Sequence, residues 1–270
     1  MSHGTGNQDW LLRASHPARF ERFEAFFSGH GFDWHRHDTY AIGHTLSGVQ
    51  SFQYRKSLRH SLPGRTLVLH PDEPHDGHAG TEDGFQYRII YIEPALIQRI
   101  LGGKPLPFIT DGVSTDPRLY AAAAPLLRAM HTPFDTLEED DLLYDLAHAL
   151  SAAGGQRRAR KTCDYRAAEL ARGYIHAHFE HAIALDDLAL VCGRDRWSLT
   201  RDFRDLYGTS PYRYVTARRL EHCRRLMLAG MPMVDAAIAA GFADQSHMTR
   251  HFGATYGMPP GRWLAMQRRG

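Results

Sequence analysis

Residues 200–214 read TRDFRDLYGTSPYRY, and residues 249–263, forty-nine positions later, read TRHFGATYGMPPGRW. Aligned without a gap, the stretches share Thr200/Thr249, Arg201/Arg250, Phe203/Phe252, Tyr207/Tyr256, Gly208/Gly257, Pro211/Pro260 and Arg213/Arg262, and Tyr214 faces Trp263. Chance supplies roughly one identity when the commonest residues are each used at about 7–10%; here there are seven in fifteen positions. A repeat of this period marks one supersecondary unit used twice.

Just ahead of the first copy, Leu185, Leu188, Ala189 and Val191 give a short apolar face, with Asp186 and Asp187 suiting a helix N-terminus and Gly193 ending it. Asp195 is placed to cap a second helix, in which Leu199, Phe203 and Leu206 recur at spacings of four and three up to Gly208. Helix, tight glycine turn, helix is helix-turn-helix order, here over about residues 185–208. The opposite face carries Arg196, Trp197, Thr200, Arg201 and Arg204, groups suited to a major groove. The second unit, about 234–257, uses Val234, Ala237, Ile238 and Ala240, turns at Gly241-Phe242 and offers Asp244 as a cap. Its second helix buries Met248, Phe252 and Tyr256 and exposes Gln245, Ser246, Thr249 and Arg250.

Between the units, Ser210-Pro211 starts a helix with an apolar stripe of Tyr214, Val215, Ala217, Leu220, Cys223, Leu226 and Met227, stopped by Gly230 and Pro232. Such a connector of about 18 residues is roughly 27 Å long, enough to hold two recognition helices toward successive major grooves of one duplex. A spacing short of the DNA repeat would favour bendable steps between the half-sites. The repeated Phe, Tyr, Gly and Pro specify fold. Arg201 and Arg250 are open to base contact, phosphate contact or a structural salt bridge.

Charge divides the 270-residue chain unevenly, and the length suits two domains. Residues 1–160 hold 16 Lys and Arg against 19 Asp and Glu, whereas residues 161–270 hold 16 against 11. All but one of the later cations are Arg, whose fork matches phosphate and guanine edges, so nucleic acid is the first partner to consider. No stretch approaches the roughly 18–20 apolar residues of a membrane span, and residues 1–10 are polar, so a cytoplasmic location is expected. Cys163, Cys192 and Cys223 lack metal-type spacing and are expected as reduced thiols.

The second unit, from Ile238 through Gly241, Phe242, Gln245, Ser246, Thr249, Arg250 and Phe252 to Gly257 and Pro260, resembles the AraC/XylS family of transcription regulators. The resemblance extends over about a hundred residues, from near Ala167 to Met266, and implies two helix-turn-helix units joined by a long helix. By position, the family's groove-facing residues fall on Trp197, Thr200 and Arg201 and on Gln245, Ser246, Thr249 and Arg250. Asp195 stands where a Ser is more usual, and both can cap. Thr200 is shorter than the Gln of some relatives, so base preference is not carried over. The resemblance implies double-stranded DNA and RNA polymerase as partners.

Residues 20–92 change texture to short apolar runs at 40–46, 49–54, 66–69 and 87–92, which read as strands. Gly48, Pro63-Gly64, Pro71 and Gly84 mark turns, so a small antiparallel barrel is expected. His35-x-His37, Pro63-Gly64 and His70-Pro71-x-x-Pro74-His75 resemble the cupin-like sensor half of many AraC-type regulators. Metal-binding cupins carry a Glu a few residues after the first pair; here Thr39, Tyr40, Ala41 and Ile42 stand there. His35, His37 and His75 are therefore open to three roles: a three-His metal site, the polar lining of an effector pocket, or structural hydrogen bonds. Asp33, Trp34, Arg36, Tyr40, Arg55, Asp76 and Arg88 supply further pocket groups, and His35, His37, Tyr40, His75 and Arg88 are the effector-binding candidates. Helices are expected over 117–130 and 138–150, the second with a stripe of Leu142, Leu143, Leu146 and Leu150 that serves as core or as a dimer contact.

The expected architecture is α+β in two domains. Residues 15–100 form an antiparallel cupin-like β-barrel, 101–152 a helical segment that is a candidate for dimerisation, 153–164 a linker, and 165–268 an all-α double helix-turn-helix domain. The expected function is sequence-specific transcription regulation by a homodimer, responsive to a small-molecule effector in the barrel. No cofactor, membrane partner or catalytic activity is expected. The alternative is a cupin-type metal-dependent enzyme or metal sensor with an appended DNA-binding domain, which the missing Glu weighs against. An architectural DNA binder without sequence choice is disfavoured by the different groove residues of the two units.

Overall fold

Short strands, several of them buried on both faces, build the N-terminal half, and short amphipathic runs with capped ends build the rest. The computed structural model describes residues 9–14, 18–156 and 163–267, so half of the expected linker and the ends of both expected domains lie outside the described residues. Nine strands come first: β1 (Trp10–Arg13), β2 (Glu21–Phe27), β3 (His30–His35), β4 (Tyr40–Gly48), β5 (Gln50–Tyr54), β6 (Ser57–Ser61), β7 (Thr66–Leu69), β8 (His75–Ala79) and β9 (Phe85–Ile92). Next are α1 (Pro94–Ile100), β10 (Pro107–Phe108), β11 (Val113–Ser114), α2 (Pro117–Ala123), α3 (Thr136–Ala153) and β12 (Gly155–Gln156).

The strands form two main antiparallel sheets, of order β1-β2-β9-β4-β7-β11 and β3-β8-β5-β6, with β10 and β12 paired separately. Phe27, Phe85 and Tyr87 of the first sheet share a core with Phe52 and Tyr54 of the second. The chain changes sheets at Gly48, where φ is +70° and an added Cβ would stand 2.0 Å from the Gly84 carbonyl oxygen. The expected antiparallel barrel takes the form of two facing sheets without a continuous hydrogen-bond ladder. The physical reason lies at β3. This edge strand does not pair with β2 but is covered by the helical half, with Asp33 N–H donating to Gly257 O at 2.8 Å and Arg36 N–H to Ala254 O at 3.0 Å.

Outside the sheets, α2 ends at Ala123 rather than near residue 130. Pro125 follows, and a proline in a helix interior removes a hydrogen bond and clashes with the preceding turn. Helix α3 starts from a capping box in which Asp135 and Glu138 bond reciprocally. Leu143, Leu146 and Leu150 of its stripe are fully buried against Ile97, Leu119 and Leu126, so the stripe is intramolecular core rather than a dimer contact.

The helical half comprises α4 (Tyr165–His178), α5 (Leu185–Cys192), α6 (Arg196–Tyr207), α7 (Pro211–Leu228), α8 (Met233–Ala239), α9 (Gln245–Tyr256) and α10 (Pro260–Gln267). Leu199, Phe203 and Tyr207 of α6 and Met248 and Phe252 of α9 are buried as their spacing requires. Val191, Val234 and Ile238 depart from expectation, being 43%, 54% and 54% exposed. The short first helices of each unit pack instead through Leu188 and through Ala236, Ala237 and Ala240. Connector α7 is more than a spacer, because its Leu220, Cys223 and Met227 join the core that holds Phe23, Tyr87 and Ile89.

Candidate nucleic-acid interface and effector cavity

All nine groove-facing candidates lie on α6 and α9. The Asp195 carboxylate accepts from the Trp197 and Ser198 amides at 3.1 and 3.0 Å, which fixes the start of α6. Hydrogen bonding from Ser198 holds that carboxyl below its ordinary range. Arg196, Arg201 and Arg204 are exposed, Trp197 is 65% exposed, and Thr200 is half-buried. Some of these groups have local partners. Thr200 Oγ1 donates to Arg196 O at 2.8 Å, Arg201 Nη2 donates to Ser198 Oγ at 2.7 Å, and the Arg196 guanidinium lies 5.2 Å from the Trp197 ring centroid. On α9, capped by Asp244 through the His247 amide, Ser246 and Arg250 are exposed and Gln245 and Thr249 half-buried.

Beside the C-terminal end of α9, a cavity of about 270 Å³ opens between the two halves. Phe23, Phe32, Tyr87, Ile89 and Tyr91 wall one side, and Tyr256, Met258 and Trp263 wall the other. Two arginines from α7 reach across it. Arg224 donates to both oxygens of Glu21 at 3.0 Å and to Tyr256 Oη at 3.2 Å, and its guanidinium lies 4.9 Å from the Tyr256 ring and 5.0 Å from Trp263. Burial alone would raise the Glu21 carboxyl, but the charges of Arg224 and Arg13 outweigh it and the group lies below its ordinary value. Arg218 meets Asp38 at 3.1 Å, Glu93 at 2.5 Å and Glu221 at 2.8 Å.

Of the effector candidates, His35 and His37 line this cavity. His75 stands directly behind them, its ring centroid 4.2 Å from that of His35 and 4.9 Å from that of His37. Burial lowers His35 to about 4 and His37 to about 3, and moves His75 in the same direction, so all three are neutral at pH 7. Two candidates fall elsewhere. Tyr40 donates to Pro107 O at 2.7 Å in the second core, and Arg88 pairs with Glu24 at 2.7 Å and bonds Leu127 O. Asp33, Trp34, Arg36, Arg55 and Asp76 are likewise absent from the cavity wall. A strand's side chains alternate between its faces, so Arg88 points away from the face that Tyr87 and Ile89 present.

The carboxylates Glu21, Asp38 and Glu93 and the two α7 arginines escaped sequence reasoning. Glu21 and Arg224 are 203 positions apart, with no local pattern joining them. A signal did exist for a second set. The repeated Gly-x-x-Pro-x-Arg element meets the N-terminal half in both copies: Arg213 bonds Asp72, and Arg262 donates to Asp9 and to His30 O, both at 3.2 Å. An added Cβ at Gly208 would meet Pro71 at 2.7 Å, and at Gly257 it would meet His35 Nδ1 at 2.7 Å. These residues thus serve docking as well as fold.

Comparison with known proteins agrees with both halves. A family model for the AraC-like ligand binding domain matches residues 17–147, and one for a helix-turn-helix domain matches residues 188–266. An uncharacterized HTH-type transcriptional regulator, YbfI of Bacillus subtilis, is 24% identical over 229 residues, covering 79% of this chain and 80% of its own. The right origin-binding protein of Escherichia coli is 31% identical over 88 residues, which cover 32% of this chain and only 30% of that relative. Among solved structures, ToxT from Vibrio cholerae superposes with a TM-score of 0.67 at 14% identity, covering 93% of this chain and 99% of ToxT, so it shares the fold. ToxT has also been solved with an unsaturated fatty acid bound. Carrying an AraC-like ligand-binding domain followed by a helix-turn-helix DNA-binding domain, this chain belongs to the AraC family of transcription regulators.

Proposed function

We propose that this regulator takes a small amphipathic effector, with an apolar body and an acidic head, in the cavity between its two halves. The observation that carries the reading is the placement of Arg218 and Arg224. Both come from the helix joining the two helix-turn-helix units, and both face carboxylates of the ligand-binding half across a cavity walled by aromatic and charged side chains. An effector carboxylate competing with Glu21 or Asp38 for these guanidinium groups would change how firmly the halves dock, shifting the population of DNA-competent arrangements. The fatty acid bound to ToxT, a protein of the same fold, supports an acidic head group. Arg196, Trp197, Thr200, Arg201 and Arg204 read one half-site, and Gln245, Ser246, Thr249 and Arg250 read the next. The protein acts as a cytoplasmic homodimer through the outer face of α3, where Leu137 and Tyr144 stay exposed. It works with RNA polymerase and catalyses no reaction. Among the described residues no helix is long and apolar enough to cross a membrane.

Selection of genomic fragments on the full chain, followed by footprinting, tests the DNA reading. A defined site should emerge and be lost with Arg201→Ala and Arg250→Ala together; no preference over random DNA, or an unchanged footprint in the double variant, refutes it. A monocarboxylate series from benzoate to palmitoleate tests the cavity. At least one member should shift DNA affinity in the native chain and lose that effect in Arg224→Met, and a flat response across the series rejects an acidic effector.

A further inference from the structure

Three imidazoles converge where β3, the segment after it and the start of β8 meet. His35 and His75 are register partners across the two strands, and His37 follows two residues on. Each ring uses Nδ1 in the same way. His35 Nδ1 bonds Asp33 O at 2.8 Å, His37 Nδ1 bonds Thr39 O at 2.9 Å and His75 Nδ1 bonds Glu73 O at 2.9 Å. A carbonyl can only accept, so Nδ1 carries the proton in all three and Nε2 carries the lone pair. The ligand nitrogens of the three rings lie within 4.8 Å of one another, and all three residues are buried. His37 Nε2 is buried with no hydrogen-bond partner among the described residues.

Neither alternative role accounts for this. A structural role would give the buried His37 Nε2 a donor, because leaving a buried polar atom unmet is costly. An effector-lining role explains His35 and His37 but not His75, which is absent from the cavity wall. A backbone carbonyl behind each imidazole is, by contrast, the outer contact that orients a metal-binding histidine and raises its basicity. We propose that His35, His37 and His75 bind one divalent transition-metal ion of the zinc, cobalt, nickel or ferrous class through Nε2, with its remaining positions open to the interdomain cavity. Imidazole donors suit these ions, whereas magnesium and calcium prefer oxygen ligands. Three nitrogens at about 2.0–2.1 Å from one ion lie roughly 3.3 Å apart, so metal loading should draw the three rings closer together.

No acid stands at Thr39, Tyr40, Ala41 or Ile42, and Asp76 is engaged by the Gln53 amide at 2.5 Å. Three neutral ligands leave the bound ion its full double charge, which would draw water or an anionic group from the cavity. The site also adjoins the second recognition helix. The amides of Asp33 and Arg36, flanking His35, hold the C-terminal end of α9 through Gly257 O and Ala254 O. The metal site stands whether or not an organic effector occupies the cavity.

The test uses the untagged full-length chain, stripped with a chelator and titrated with Co(II) alone, following visible d–d absorption with elemental analysis for stoichiometry. One equivalent per chain is expected, with His37→Gln and His75→Gln each weakening binding on the order of 100-fold or more and His178→Gln leaving it unchanged. Circular dichroism melts identify a variant that fails to fold. X-ray absorption of the Zn(II)-loaded native chain requires no variant and should show imidazole nitrogens at about 2.0–2.1 Å. Less than a tenth of an equivalent bound, affinity unchanged in both variants, or no imidazole scattering overturns the proposal. Hydrogen exchange at Asp33 and Arg36 should slow on metal loading, and unchanged exchange removes the link to α9.

Discussion

Gly193, Gly208 and Gly257 end α5, α6 and α9 in the left-handed region, with φ of 60°, 71° and 66°. Alanine in that conformation costs about 1–2 kcal/mol of backbone energy, wherever it is placed. At Gly193 nothing lies within 4 Å of an added Cβ, so Gly193→Ala should bear that cost alone. Gly257 differs, because the same Cβ would stand 2.8 Å from Asp33 O and 2.7 Å from His35 Nδ1, both in the ligand-binding half. A strand carbonyl cannot rotate aside, and overpacking typically adds about 1–3 kcal/mol, for a total of about 2–5 kcal/mol at Gly257. If the halves separate before the clash is absorbed, the extra loss is limited to the docking free energy and appears as opening instead. Urea unfolding measures the first quantity, and limited proteolysis of the interdomain segment measures the second. Gly193→Ala should lose about 1–2 kcal/mol with normal protection, and Gly257→Ala should lose more or be cleaved faster. Equal stability and equal protection in the two variants would refute the docked arrangement.

Other perturbations probe separate parts of the molecule. Glu21→Gln leaves Arg224 buried without its ion partner and should cost about 3–5 kcal/mol, most of it regained in Glu21→Leu with Arg224→Met; an unmoved urea midpoint in the single variant contradicts the buried pair. His44, stacked on Tyr120 at 3.9 Å, is lowered by burial from 6.5 to about 4. The unfolded chain therefore binds this proton first as pH falls, and the share of stability that His44 contributes above pH 6.5 should drop by at most ~1.4 kcal/mol per unit, about 3 kcal/mol by pH 4, in addition to the losses from His35, His37 and His75. His44→Phe keeps the stack and should make the fall in stability between pH 6.5 and pH 4 smaller than in the native chain by about 3 kcal/mol, and an equal fall in the two proteins contradicts the depressed His44. Arg201→Ala and Arg250→Ala should each cost on the order of 1–3 kcal/mol of base discrimination in competition binding, whereas a uniform loss on every sequence would mark a phosphate contact. Leu137→Glu with Tyr144→Glu should yield monomers in sedimentation, and an unchanged dimer would place the interface elsewhere.

The helical half was legible because its signals are local. Apolar spacing, the caps Asp195, Ser210 and Asp244, and the stops Gly193, Gly208 and Gly257 all act within a turn or two of the chain, so α6, α7 and α9 follow from the residues that build them. Burial of Val191, Val234 and Ile238 was not legible, because an apolar residue marks a possible inner face without showing that a neighbour covers it. Strand β8 was not legible for a related reason. Its His, Asp and Gly residues lack the apolar alternation by which a strand is recognised, and pairing with β3 and β5 makes it a strand.

By itself, the sequence determined the two-domain plan, the repeated helix-turn-helix unit, its outward-facing residues and the three histidines worth watching. Only the tertiary structure decided that the sheets stay open at β3, that Tyr40 and Arg88 turn away from the cavity, and that the three imidazoles share one centre. It also decided that Arg218 and Arg224 of the DNA-binding half meet Asp38 and Glu21 of the other. The physical reason is range. Caps and helical faces depend on neighbours three or four residues away, whereas a salt bridge or a cavity wall depends on which distant surfaces burial brings together.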